Sequence, residues 1–181
     1  FSIIHFNTRS LIRNFDQLNL LLRNLNMPFS VVDVSETWLT DCTAEHVNIR
    51  GYNFVSNHRK SKAGGGVGIY SPNGLEYKLL EECKYSDPDV IESLFLEIIV
   101  PHGKNFIVDF NLDLLQYNHH VPTQEFIDSL FSHAFLPLIS NPTRLTSYSA
   151  TLIDNIFTNN LAPSVYSGII LNDLSDHLPV F

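Results

Sequence analysis

No stretch of this 181-residue chain approaches the roughly 18 consecutive apolar residues that a membrane-spanning helix requires, so no membrane partner is expected. Cysteine is scarce as well. Cys42 and Cys83 are too few for a disulfide framework, and neither sits in a CxxC or Cys/His metal pattern, which points to a reducing intracellular compartment. The amino terminus lacks the basic segment, apolar core and small-residue cleavage site of a signal peptide. It also lacks Met, so the chain is expected to be an excised piece of a longer protein. Positive charge is the remaining shortage: Lys plus Arg number 11 against 19 Asp plus Glu, for a formal charge of -8. That balance excludes a protein that coats nucleic acid by bulk attraction, because counterion release needs many Lys and Arg contacts to phosphate. It leaves room for an enzyme that gathers carboxylates at a metal and keeps a local basic rim, and His58-Arg59-Lys60-Ser61-Lys62 is the basic cluster available.

What is present fits an ordinary globular protein, with 44% hydrophobic and 17% charged residues. The length suits a single domain spanning 1–181, and there are no repeats or linkers to divide it. Residues 2–7 read as a strand, followed by a helix in which Leu18, Leu21, Leu22 and Leu25 recur at helical spacing and Asn14 or Asp16 supplies the cap. Met27-Pro28 stops that helix, and 29–35 alternates into a second strand that delivers Glu36 at its end. Strand, helix, strand predicts parallel pairing. From 52 to 108 short runs at 52–56, 66–70, 75–80, 91–100 and 105–108 predict antiparallel strands, the last two joined by a turn at 101–104. A second helix begins near Pro122 or Thr123 and buries Phe126, Leu130, Phe131 and Ala134. Strands return at 152–157, 165–171 and 178–181. The pattern predicts an α/β sandwich of the four-layer type, two mixed β-sheets packed face to face and covered by helices.

Polar residues repeatedly end these apolar runs, which is how a rigid sheet presents a site. Glu36 closes an apolar strand, where a hard cation with oxygen ligands, Mg²⁺ above all, is accommodated; its alternative is a solvated strand-end charge. Asp109-Phe110-Asn111 sends a carboxylate and an amide to one side, suited to deprotonating and orienting a water, or else forms a plain Asx turn. Asp176 and His177 are adjacent, so strand geometry points them apart and gives them separate tasks. His177 then needs a distant carboxylate, for which Asp154 is available, while Asp176 is free to join Glu36 near a metal. A serine-nucleophile triad is the poorer reading, since there is no Gly-x-Ser-x-Gly elbow. The run Gly64-Gly65-Gly66-Val67-Gly68 lacks the Lys-Ser/Thr ending of a phosphate loop and enters a strand, so it reads as a flexible turn. His119 and His120 have no ligand spacing and read as surface residues.

Taken in order, several segments resemble the endonuclease/exonuclease/phosphatase superfamily (DNase I-like). The resemblance is closest to the endonuclease domain that precedes the reverse transcriptase of non-LTR, LINE-like retrotransposons. The segments are Phe6-Asn7-Thr8-Arg9-Ser10-Leu11, Ser35-Glu36-Thr37-Trp38-Leu39, 64–70, Asp109-Phe110-Asn111, Asn141-Pro142-Thr143-Arg144, 150–158 and 175–181. The resemblance implies a Mg²⁺-dependent endonuclease, with Mn²⁺ as a substitute, that nicks double-stranded DNA. The nick leaves a 3′-hydroxyl that primes target-site reverse transcription by the reverse-transcriptase domain of the same polyprotein. It implies Glu36, Asn7 and Asp176 at the metal, Asp109 activating water, Asn111 orienting it, and His177, held by Asp154, contacting the scissile phosphate. Arg9, Arg59, Lys62 and Arg144 are the residues expected to face DNA. An intracellular and, in action, nuclear location is implied.

The chain departs from the family pattern at one junction. Relatives carry a Tyr-Arg-Pro-Pro strand, a helix and a further strand before the Asp-Phe-Asn motif, whereas here Phe106-Ile107-Val108 runs straight into Asp109. The fold is therefore expected to be incomplete at 108/109, and turnover weak or absent. Two alternatives stand beside the nuclease: a superfamily phosphatase acting on phosphoinositides or small phosphate esters, and a non-catalytic retroelement remnant.

Overall fold

The structure, a computed structural model, describes residues 1–59, 64–79, 94–100, 103–108, 112–159, 165–172 and 174–181. Of 95–100 and 103–108 it describes the backbone.

The chain opens with β1 (Ile3–Asn7), α1 (Leu11–Asn24) and β2 (Val31–Ser35), and β1 pairs parallel with β2, as the strand–helix–strand order predicts. β3 (Tyr52–Asn57) and β4 (Val67–Pro72) follow, and β4 lies antiparallel to both β2 and β3, giving a mixed sheet in the order β1-β2-β4-β3. β5 (Tyr77–Leu79), β6 (Phe95–Val100) and β7 (Gly103–Val108) make a second, antiparallel sheet. The pairing of Val100 with Gly103 closes the predicted β6–β7 hairpin, whose two connecting residues, 101–102, lie outside the described residues.

The period of two sorts each strand into faces. Ile4, Phe6, Val32 and Val34 join Leu11 and Leu18 of α1 in one core. Their alternates Ile3 and Val31 join Val67, Ile69, Leu94 and the β5 residues Tyr77 and Leu79 in another. The mixed sheet is thus covered by α1 on one side and by the second sheet on the other, an α/β sandwich as predicted. His5, Asn7, Asp33 and Ser35 fall on the face that looks toward the second sheet.

Several boundaries differ from expectation, each for a local reason. α1 starts at Leu11, ahead of both expected caps; Asn14 instead sends its Nδ2 back to the carbonyl of Thr8 at 2.7 Å. α2 (Val121–Ser132) has Pro122 in its first turn, as expected, but buries Thr123 and Ile127. Phe131 is 46% exposed, and Ala134 lies beyond the helix at a φ of 60°. Phe126 and Leu130 do face inward, with Phe126 edge-on to Phe157 at 6.3 Å. The later strands are shorter than predicted: β8 (Leu136–Pro137), β9 (Arg144–Leu145), β10 (Ala150–Thr151) and β11 (Phe157–Thr158) form two small antiparallel pairs, β9–β10 and, enclosing it in sequence, β8–β11. Residues 152–156 are irregular because their polar groups bond to side chains: Leu152 N donates to Asp113 Oδ1, and Asp154 N to Thr143 Oγ1. The carboxy-terminal run makes isolated bridges, Val180 with both His5 and Ile169, so it borders β1 in the mixed sheet. Among the described residues no helix is long and apolar enough to cross a membrane.

Candidate active site at the sheet ends

The turn from β1 into α1 is laced to the end of β2. Thr8 N donates to Ser35 O, Ser10 N to Glu36 O and Leu11 N to Thr37 O, all within 2.9 Å. Thr8 Oγ1 adds bonds to the carbonyls of Ser35 and Glu36. This lacing forces non-glycine residues into positive φ: Arg9 at 41°, Ser10 at 87°, Glu36 at 50° and Trp38 at 52°. Such conformations cost about 1–3 kcal/mol each and cluster where a site is being shaped.

The same turn brings the glycine run over Glu36. Thr37 N donates to Gly66 O, Trp38 N to Gly65 O, and Gly65 N to Glu36 Oε2 at 3.2 Å. Glycine is required here. A Cβ at Gly66 would meet Thr37 Oγ1 at 2.5 Å, and its φ is +85°. The run is therefore a fitted backbone clamp, where the sequence suggested a flexible turn.

The carboxy-terminal segment crosses the end of β1. Ser175 Oγ donates to Asn7 O at 2.8 Å and accepts from His177 N at 3.1 Å, a positioning role that removes it from consideration as a nucleophile. Asp176 and His177 then point different ways, as adjacency requires. His177 Nδ1 meets Asp154 Oδ2 at 2.9 Å with both residues buried, the distant carboxylate that the sequence suggested. Asp154 in turn meets His5 Nε2 at 3.2 Å through Oδ1, and His5 Nδ1 meets Asp33 Oδ2 at 2.9 Å. Burial pushes the Asp154 carboxyl upward, but the hydrogen bonds and charge of His177 and His5 outweigh it and hold the group well below the usual carboxylate range.

Asp176, expected beside Glu36 at a metal, engages both oxygens elsewhere: Oδ1 with Arg9 at 2.7 Å and Oδ2 with Nε of Arg144 at 2.8 Å. Partial burial raises its pKa, and the two guanidiniums, Arg144 first, bring it below the ordinary value. Two of the residues expected to face DNA are thereby joined to the lip of the site. Arg59 is half-buried just after β3, and Lys62 lies outside the described residues, as do Asp109 and Asn111.

Among the described residues no group of three or more His, Cys, Asp or Glu could hold a metal ion. The donors at the sheet ends nonetheless suit a hard cation. Asn7 Oδ1 is buried without a hydrogen-bond partner. Asn7 pairs in register with Ser35, the residue before Glu36, so an orphaned amide oxygen and a carboxylate stand on neighbouring strand ends. Oxygen donors of this kind are what Mg²⁺ takes. An apolar cleft of about 540 Å³ lies at the other end of β1, lined by Phe1, Ile3, Phe29, Phe157 and Phe181 among others, and holds none of these polar residues.

Three participants escaped the sequence reading: His5, Asp33 and Thr143. His5 and Asp33 sit inside apolar strands, and the signal that could have found them is that both share the parity of Asn7 and Ser35. Thr143 is fully buried, accepts from Asp154 N through Oγ1, and takes Leu178 N on its carbonyl at 2.7 Å, tying Asp154 to the His177 segment.

No family model matches the chain, and no curated protein matches it. Solved structures do. The chain is similar to TDP2 of D. rerio, humanized by 14 mutations, at 15% identity and a TM-score of 0.65, covering 99% of this chain and 96% of that one. It is similar to the endonuclease domain of TRAS1, a telomere-specific non-LTR retrotransposon, at 10% identity and a TM-score of 0.64, covering 98% and 94%. It is similar to the AP endonuclease LMAP of Leishmania major at 13% identity and a TM-score of 0.69, covering 98% and 85%. The chain shares the fold of these structures, the DNase I-like fold.

Proposed function

We propose that this chain is a metal-dependent DNA phosphodiesterase of the retroelement type, nicking double-stranded DNA to leave a 3′-hydroxyl for a reverse transcriptase of the same polyprotein. The observation that carries the reading is the buried His177–Asp154 pair at 2.9 Å, held by Ser175 against the strand end where Asn7 Oδ1 is unpaired. An imidazole fixed through Nδ1 presents Nε2 as a donor to a phosphoryl oxygen, and charge stabilisation of that kind is the main demand of phosphoryl transfer. Glu36 and Asn7 would hold Mg²⁺, or Mn²⁺ in its place. When bound, the cation supplies neutralisation of charge on the phosphoryl oxygens. Asp109 takes the proton of the attacking water and Asn111 orients it. Arg9 and Arg144, braced by Asp176, contact flanking phosphates. The likeness to the endonuclease domain of TRAS1, a non-LTR retrotransposon, supports a DNA substrate over a phosphoinositide for this chain. Turnover is slow, since β7 ends at Val108 and leads directly to Asp109 without a Tyr-bearing segment between.

Plasmid nicking tests the reading. Supercoiled DNA is expected to relax slowly with Mg²⁺, to resist in EDTA and with His177→Ala, and to yield ends that a DNA polymerase extends. Faster release of phosphate from inositol phosphates would assign a phosphatase instead. Cation binding without any nicking would assign a non-catalytic remnant.

A further inference from the structure

A buried chain of four ionisable side chains runs behind His177. Asp33 Oδ2 meets His5 Nδ1 at 2.9 Å, His5 Nε2 meets Asp154 Oδ1 at 3.2 Å, and Asp154 meets His177 Nδ1. Asp33, His5 and Asp154 are each 3% exposed. The strands fix the middle of this chain. His5 is in register with Asp33 on the parallel neighbour, and its backbone exchanges both hydrogen bonds with Val180 at 2.8 and 3.1 Å. His5 therefore cannot shift without moving the sheet.

We propose that His5 is a positioning residue, locking the Asp154 carboxylate through Nε2 in the orientation that receives His177 Nδ1, with Asp33 locking His5 in turn. The physical need is plain. The terminal torsion of an Asp side chain is broad, and His177 Nδ1 lies against both oxygens, 2.9 Å from Oδ2 and 3.1 Å from Oδ1, so its single N–H is shared between them. A second donor on Oδ1 fixes the plane, and with it the ring of His177 and the direction of its Nε2. A hydrophobic residue would fill the position, but it would leave the buried Oδ1 of Asp154 with only a share of the His177 N–H. The inference rests on the role given to His177 above.

Two isosteric substitutions separate positioning from packing. The amide of Gln reaches the place of imidazole Nε2, whereas that of Asn reaches only the place of Nδ1. His5→Gln is expected to keep the downfield ring-proton resonance of His177 Nδ1–H. His5→Asn is expected to speed exchange of that proton about tenfold, as loss of one charge-assisted bond allows, and to lower kcat about tenfold at unchanged KM for DNA. Asp33→Asn, which preserves the ring and the volume, should weaken the same resonance. Circular dichroism confirms folding of each variant. A wild-type resonance and exchange rate in both His5→Asn and Asp33→Asn would overturn the proposal. The resonance is read without turnover, so absence of nicking in the parent chain counts against the nuclease reading alone.

Discussion

The Nε1–H of Trp38 donates to Glu36 Oε2 at 2.7 Å, two residues back along a turn in which both stand at positive φ. The indole thus orients the carboxylate proposed for the cation, and the glycine clamp holds the same oxygen through Gly65 N.

Trp38 is the only tryptophan of the chain, so its emission reports on Glu36. Titration with Mg²⁺ is expected to shift the emission, and EDTA to reverse the shift. Glu36→Gln should abolish the response. Trp38→Phe, followed by calorimetry, should weaken Mg²⁺ binding by several-fold, because a charge-assisted bond that orients the carboxylate is gone. An unchanged emission spectrum at saturating Mg²⁺ would place the cation elsewhere.

Gly66→Ala and Gly51→Ala differ in one respect. Both glycines have φ near +90°, but a Cβ at Gly51 meets nothing within 4 Å, while at Gly66 it meets Thr37 Oγ1 at 2.5 Å. Urea denaturation should show Gly51→Ala costing about 1–2 kcal/mol from backbone conformation alone. Gly66→Ala should cost a further 1–3 kcal/mol, roughly, from overpacking. Equal losses would mean that the clamp yields without strain.

Acid should expose the Asp154 pair. Its folded pKa lies below the unfolded value, so its stabilisation is complete above about pH 4 and is lost as pH falls from there toward the folded value. Asp176 acts in the same direction, discounted for its greater exposure. Asp154→Asn is expected to destabilise the protein at pH 7 by on the order of 3 kcal/mol, since it breaks a buried pair. It should also flatten the loss of stability below about pH 4. Denaturation midpoints at neutral and acid pH decide this, and parallel curves for the two proteins would refute it.

The guanidiniums at the lip should be visible in salt dependence. Arg9→Ala and Arg144→Ala are each expected to lower the slope of log K against log salt for DNA by about 1. In an Asp176→Asn background the effect of Arg144→Ala on stability should shrink by roughly 0.5–1 kcal/mol, the coupling of a half-exposed pair. Fluorescence anisotropy and a double-mutant cycle measure the two.

Much of the site was legible because strand ends are legible. The alternation of Ile4, Phe6, Val32 and Val34 with polar residues placed Asn7 and Glu36 at the mouth of a sheet, and the adjacency of Asp176 and His177 forced a distant partner on the histidine. Glycines 64–66 were visible, but their purpose was not, since a clamp is defined by the carboxylate it covers. His5 and Asp33 were hidden in apolar runs, where a polar residue at an inward position looks the same as one facing solvent until the neighbouring strand is known. The second helix was found at its proline, and Phe126 and Leu130 do pack with Phe157, but the buried positions are Thr123 and Ile127, which only the packed structure reveals.

The sequence by itself determined the local facts: which runs are strands, where α1 and α2 lie, and which polar residues stand where an apolar run ends. These follow from periods of 2 and 3.6 and from turn chemistry, which act over a few residues. Only the tertiary structure decided which of those residues meet. His5 reaches Asp154 across 149 positions and Arg9 reaches Asp176 across 167. Contacts of that separation depend on strand register and on the carboxy-terminal segment bordering β1, and a shift of one residue in β1 would turn His5 to the opposite face and away from Asp154.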